Sequence, residues 1–581
     1  MHYPRLVPPK STRTMIDAFR GYNHNVRIAD GEFYEMQNMT SDHYPVLSPR
    51  DARGVYAKPA SPQGLIAMHD LCYVDGADIV IGEDRYEMGL STAAEDCPKR
   101  LVSMGAFIIV LPDKKYINTM DTDDRGSIEA EYISAGEVRF ELCNITGDLY
   151  SGATVAAVQP ENPDNMDLWI DTSSTPNTLK QYSKATDMWV SIATTYVKIS
   201  AAGIGKGFER YDGVTISGVT VEALTDLNGT MVVWEKGDDY IVVIGILDTV
   251  ATQNTPVTVA RRMPNMDYIV ESENRLWGCR YGLALNGEHV NEIYACKLGD
   301  FKNWNCFMGI STDSYVVSCG TRGPFTGAVT LGSPLFWKEQ ACHKVFGNVP
   351  SNFQLQTIEC RGVQAGCHDS LAIVNETLFY KSRTNICAFD GAVPVEAGYA
   401  LGREHYSNAV GAAHGNKYYV SMMNDKGVWN LFVYDTAKGM WHREDNLHAL
   451  GFCSFRGELY CVDADDLNII TMLGSGDPDE KVVTWGVETG ELGLNSPDTK
   501  YLGRVTVRMS LEINSEVDMY AQYDLSGEWV HLCHLMGTKL NSFAVPIRPR
   551  RCDHMKLRIE GKGGAKLYSI TKNIEEGSDI T

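Results

Sequence analysis

The chain has 581 residues, of which 44% are apolar and 22% charged, a globular rather than a disordered composition. Its 52 Lys and Arg against 74 Asp and Glu leave a net charge of −22. That balance excludes a protein that wraps nucleic acid by neutralising phosphates or docks on an anionic membrane, since both need clustered Lys and Arg.

The first residues, MHYPRLVPPKSTRT, carry Pro4, Pro8 and Pro9 and the basic Arg5, Lys10 and Arg13, with no apolar stretch of a secretory leader. Such a segment cannot pack as a helix or a central strand. It reads as an extended arm that orders on assembly, or as a frayed terminus. The longest apolar runs, Tyr240–Leu247 and Ala106–Leu111, are strand-length. A membrane helix needs ~20 apolar residues. A soluble chain is therefore expected.

Beyond residue 55 the chain alternates short β-branched and aromatic runs with Gly, Asn, Asp and Pro, which is strand-and-turn punctuation. LIAMHDLCYVDGADIVIG (from Leu65) and RLVSMGAFIIVLPDKKYINTMDT (from Arg100) read as paired strand groups. A polar, Thr- and Ser-rich stretch follows, with Trp169 and Trp189 each in a short strand, and reads as a small inserted β-module. GTMVVWEKGDDYIVVIGI (from Gly229) reads as a further blade-like unit of paired strands.

In the second half, apolar runs begin near Leu276, Leu335, Leu378, Tyr418 and Leu459, the last three steps being 43, 40 and 41 residues. A period of ~40–50 residues with about four strands per unit is that of propeller blades. Consecutive β-sandwiches would give similar alternation; the regular period favours the propeller. Counting units gives seven or eight, and seven is expected. After GSGDPDE (from Gly474), alternation at Val505, Val507, Met509, Leu511 and Ile513 puts one face in a core and predicts a separate C-terminal β-sandwich.

The expected fold is thus all-β. It comprises an N-terminal arm and lead-in segment over 1–54, first propeller blades over 55–130, an inserted β-module over 131–215, the remaining blades over 216–475, and a C-terminal β-sandwich over 476–581.

The 15 cysteines contain no C-x-x-C, and the closest two are Cys360 and Cys367. Zinc sites need clustered ligand pairs, and disulfide frameworks belong mainly to short secreted chains. Reduced, buried thiols in a protein assembled in a cytosol are expected, with no disulfide. No residue is assigned a catalytic, cofactor-binding or metal-binding role. The chain lacks G-x-S-x-G, the P-loop and H-E-x-x-H. Gly561-Lys-Gly563-Gly564 lies between strands and reads as a hairpin turn. His531, Cys533 and His534 form a tempting cluster, but regular alternation would point His534 away from the other two. Asp121-Thr-Asp123-Asp124-Arg125-Gly126 starts like a calcium loop but has Arg125 at the fifth position and Tyr132 at the twelfth. It reads as a solvated turn, as does Asp463-Ala-Asp465-Asp466. Asn38, Asn144, Asn228 and Asn375 head Asn-x-Ser/Thr tripeptides at chance level.

The stretch FRGYNHNVRIADGEFYEMQNMTSDHYPVLSPRDARGVY, Phe19 to Tyr56, resembles the opening of the DNA-stabilisation or tail-hub (nozzle) virion proteins of short-tailed phages. LVSMGAFIIVLPDKKYINT (from Leu101), ENRLWGC (from Glu273) with NEIYACKLGDFKNWNCF, and RPRRCDHMKLRIEGKGGAKLYSITKNIEEGSD (from Arg548) look like the same group. DLWIDTSSTPNTLKQY and MWVSIATTYVKI resemble a module of several phage tail proteins.

The resemblance implies a structural, non-enzymatic virion protein of the neck or tail. It would be assembled in the host bacterial cytoplasm as a homo-oligomeric ring, six copies by resemblance, below the portal and adaptor. The ring would continue the DNA conduit and help retain packaged DNA, which passes through without specific binding. An acidic lumen would repel phosphate and suit such a conduit. The same charge also serves ordinary solubility. The rival readings are an intracellular propeller adaptor that holds a protein partner, and a glycan-active tail enzyme with carboxylates brought together in space.

Overall fold

The structure, a computed structural model, describes residues 11–283, 287–475, 480–493, 500–537, 541–548 and 550–576. Among these the fold is all-β: helical structure is confined to short 3-10 turns such as Glu222–Leu227, and no helix is long and apolar enough to cross a membrane. Of the arm expected from the sequence, Pro4, Arg5, Pro8, Pro9 and Lys10 lie outside the described residues, as do residues 476–479 of the turn-rich linker.

The chain divides into two compact units, one of residues 1–98, 337–342 and 358–581 and one of 99–336 and 343–357. The first contains four-stranded antiparallel meanders over 62–87, 372–396 and 406–443, the last continuing through Gly21–Tyr22 into the sheet of Glu32–Gln37. A further sheet, over 449–471, takes its fourth strand from far upstream: Gly54–Ala57 pairs with Ile469–Thr471. The second unit contains meanders over 100–127 and 268–318. One more meander runs over 327–359, with residues 337–342 and 358–359 grouping with the first unit and 327–336 and 343–357 with the second. The apolar runs at Leu276, Leu335, Leu378, Tyr418 and Leu459 each fall on the second strand of a meander. That strand is the buried one. Ser333–Lys338, for example, holds Leu335, Phe336 and Trp337, each at most 1% exposed.

Two expectations are corrected. Residues 229–246 are not a meander of their own. Gly229–Val232 pairs with Gly213–Ser217, in a sheet with Ala130–Ile133 and Thr258–Arg261. Tyr240–Ile244 pairs with Tyr196–Ser200, in a sheet with Val138–Cys143. Side chains from both sheets, among them Phe140, Val197, Val214, Ile241 and Val259, form one buried cluster. The shared core therefore continues past residue 215, the expected end of the inserted module, as far as Val259. Within the module, Leu168–Asp171, Thr178–Ser183 and Met188–Ser191 form a small sheet with Thr154–Ala156, where Trp169 and Trp189 meet edge to face at 5.5 Å.

The C-terminal strands are also not self-contained. One sheet joins Lys500–Leu511 and Ala565–Glu576 to the N-terminal Ser11–Ile16, and another joins Thr484–Thr489, Met555–Lys562 and Ser515–Tyr523 to Glu32–Gln37. Val505, Val507, Met509 and Leu511 are buried as their alternation predicts, but the strand ends at Leu511 and Ile513 is 76% exposed.

Candidate functional site

A groove of the first unit lies on a sheet face, with a volume of about 460 Å³. Strand register builds it. Glu35, Glu488, Arg558, Tyr520 and His531 are opposed in sequence across five strands, and a second row runs Gln37, Gly486, Glu560, Asp518, His534. Opposed residues of an antiparallel sheet point to the same side, so these rows form one polar face. Gly486 presents no side chain there and leaves the floor open. On the opposite face Gly561 admits Trp485, since a Cβ at Gly561 would stand 2.3 Å from its ring.

The charges on this face are largely paired with one another. Glu488 accepts from Lys556 at 3.3 Å and Arg558 at 3.0 Å, and the Arg558 guanidinium lies 4.0 Å from the Trp529 ring centroid. Arg443, at the rim, donates to Asn430 and Asn446. Glu35 approaches His24 at 3.2 Å, and that hydrogen bond raises the His24 pKa against the opposing effect of burial. Within the groove these charges therefore satisfy one another in large part.

At the outer edge the histidine cluster behaves differently from its sequence spacing. His531 Nε2 and His534 Nδ1 both donate to Asp518 Oδ1, at 2.9 and 3.0 Å. The register shifts between Met519 and Tyr520: Met519 opposes Cys533 and Tyr520 opposes His531, so Leu532 is an extra residue. This β-bulge turns both histidines to one face and leaves Cys533 off it. Burial works to raise the Asp518 pKa, but the two imidazole hydrogen bonds outweigh it and hold the carboxyl below its ordinary value. Among the described residues no group of three His, Cys, Asp or Glu is arranged to hold a metal ion.

The other sequence candidates resolve as turns. Asp121–Asp124 lies between Lys115–Asn118 and Arg125–Ser127, with Asp124 Oδ1 accepting from Tyr116 at 3.2 Å. Asp463 Oδ1 accepts from the Asp465 amide and shapes the turn after Glu458–Asp463. Gly561–Gly564 is not a hairpin. Met555–Lys562 and Ala565–Glu576 belong to different sheets, so the glycines form a corner between them, with Gly563 at φ +79°.

Sequence reading missed a buried ionic clasp. Arg53 donates to Glu444 at 2.8 Å and Asp445 at 2.7 Å, and Arg50 donates to Glu480 at 2.8 Å and to Asn38 at 2.8 Å. Asn38 in turn donates to the Thr484 carbonyl. The second unit has its own cleft of about 590 Å³, where Phe107, Tyr116 and Phe301 pack together and Lys302 Nζ donates to Tyr116 Oη at 2.9 Å.

No family model and no curated protein matches the chain. Among solved structures, an exo-β-1,3-galactanase from Phanerochaete chrysosporium is 9% identical, covering 52% of this chain and 94% of its own, with a TM-score of 0.21. A computationally designed protein, Ika8, is 8% identical over 72% of this chain and 98% of its own, with a TM-score of 0.29. The extracellular domain of a putative hybrid two-component system from B. thetaiotaomicron, BT4673, is 8% identical over 91% of this chain and 96% of its own, at 0.17. At these values the likenesses carry no argument about fold or activity.

Proposed function

We propose that this chain is a structural virion protein of a bacteriophage neck or tail. In this reading it forms a homo-oligomeric ring below the portal and adaptor, continues the DNA conduit and helps retain the packaged genome. The seven meanders are blades of one propeller, the last completed by Gly54–Ala57, and the two C-terminal sheets are the halves of a β-sandwich. Completion of a last blade by a strand from the start of the chain ties the two ends of a ring of sheets together.

The observation that carries the reading is what the Phe19–Tyr56 stretch does. These residues hold the phage-protein resemblance, and they serve architecture. Tyr22 pairs with Trp441, Glu32–Gln37 pairs with Thr484–Thr489, and Arg50 and Arg53 tie to Glu444, Asp445 and Glu480. A segment whose distinctive residues bind remote strands together suits a rigid ring subunit that must withstand DNA pressure.

The test is genetic and quantitative. Particles produced without this chain should lose packaged DNA and infectivity, and quantitative mass spectrometry of intact particles should give several stoichiometric copies. Normal DNA retention and infection without it would refute the reading. Cleavage of bacterial surface glycans by the purified chain would move it to the tail-enzyme class.

A further inference from the structure

We propose that the strand Ser11–Ile16 is exchanged between neighbouring copies, each copy lending it to the Ala565–Glu576 strand of the next. The inference rests on the ring assembly proposed above and names the contact that would join its subunits.

Ser11–Ile16 is the outermost strand of its sheet and, among the described residues, pairs with one neighbour only, from Ser11 opposite Glu575 to Ile16 opposite Ile570. Its side chains contribute little to holding it. Ser11, Thr12, Arg13 and Met15 are exposed, Met15 at 59%, and only Ile16 is buried. The strand is thus held mainly by backbone hydrogen bonds, which are indifferent to which copy supplies them.

Immediately afterwards the chain is fixed to its own body. Phe19 is buried against Phe33 with ring centroids 5.6 Å apart, and the Arg20 amide donates to Gly31 O at 2.7 Å. Asp30 accepts from Lys572 at 2.8 and 2.9 Å, and Leu47 exchanges backbone hydrogen bonds with Leu567. The pivot is therefore Asp17–Ala18, two residues outside any strand, between a loosely held strand and a firmly held segment. When the strand swings out, Ala565–Glu576 is left with a row of unpaired backbone groups over residues 570–575, a template for the identical strand of another copy. Each hydrogen bond that opens within a chain re-forms between chains, which is why domain swapping costs so little. Passing the strand from each copy to the next is a heterologous contact, the kind that closes a ring.

The experiment uses opposed residues. Arg13 faces Asn573, and such pairs have Cβ atoms about 4.5–5.5 Å apart, near disulfide reach. Full-length chains carrying Arg13→Cys are co-expressed with full-length chains carrying Asn573→Cys. The double variant is made in parallel, oligomeric state is read by electron microscopy, and linked peptides are identified by mass spectrometry. Exchange predicts a 13–573 peptide in the mixed oligomers, where it can form only between chains. Assembled rings in which that peptide forms only within double-variant chains would overturn the exchange and leave the ring reading standing. Chains that never assemble and crosslink only internally would overturn both.

Discussion

His442 offers a direct test of how the first unit is held together. It sits on Met440–Arg443, is 2% exposed, and neither ring nitrogen has a hydrogen-bond partner among the described residues. Burial lowers its pKa from 6.5 to about 4, with Lys417 and Lys438 adding to the effect and Asp435 and Asp42 opposing it. The sign follows from linkage. Between pH 6.5 and about 4 the unfolded chain binds a proton at this site that the folded chain does not. The titration of His442 therefore costs nothing above pH 6.5, and stability is lost as the pH falls through that window. At about 1.4 kcal/mol per pH unit, the full interval is worth about 3 kcal/mol. His442→Phe keeps an aromatic ring, removes the titration and removes two unsatisfied buried nitrogens. It should match or exceed the natural chain at pH 7.5. In urea melts followed by tryptophan fluorescence from pH 7.5 to 4, its stability should fall by about 3 kcal/mol less than that of the natural chain. Carboxylates that titrate in the same range are shared by both proteins and cancel in the difference. Parallel pH profiles for the two proteins would refute the assignment of a buried, neutral His442.

Replacing Arg53 by Ala should cost about 3–5 kcal/mol in the same urea assay, because it leaves Glu444 and Asp445 without their main counter-charge, and Glu444 is 6% exposed. A loss under 1 kcal/mol, the value of a surface pair, would show that the clasp is not closed. Gly561→Ala should destabilise by about 1–3 kcal/mol and perturb tryptophan emission, since the added methyl would meet the Trp485 ring at 2.3 Å. The cysteines predict a stepwise thiol titration. Cys97, Cys360, Cys453 and Cys533 are half-buried and should react first, while the rest are buried and should wait for denaturant. Burial pushes the Cys72 and Cys296 thiols up to about 12, so prompt native labelling at either would contradict the packing.

What the sequence made legible was local. Each meander must bury its second strand on both faces, so Leu335, Leu378, Tyr418 and Leu459 mark the period without any knowledge of pairing. The same logic worked over Val505–Leu511, where one face is buried and one is not. It failed where a single residue changes the backbone. Period-two alternation separates His531 from His534, but one extra residue at Leu532 puts both on Asp518, and no side-chain pattern announces a bulge.

It also failed where strands are borrowed. Residues 229–246 alternate like any meander, yet Val233, Ile241 and Val243 are buried against Phe140 and Val197. Only that shared core decides their partners. Arg50 and Arg53 carry no sequence mark of their role. Their partners Glu444 and Asp445 lie about 390 residues downstream, a separation at which charge patterning carries no signal. The groove face has the same origin: Glu35, Glu488, Arg558 and Tyr520 come from four separate stretches and acquire meaning only in register. In this chain, then, the resemblance-bearing segment and the polar face depend on one event, the docking of residues 19–57 onto strands made hundreds of residues later. His442 lies at that junction. Asp42 and Asp435 both act on it, Asp42 accepts from Lys417 at 2.6 Å, and Ser41 donates to Asp435 at 2.6 Å. Protonating this imidazole places a charge that burial and Lys417 disfavour, against the pull of Asp42 and Asp435, so it should loosen this junction, and protease susceptibility of residues 19–57 should rise on acidification in the natural chain more than in His442→Phe.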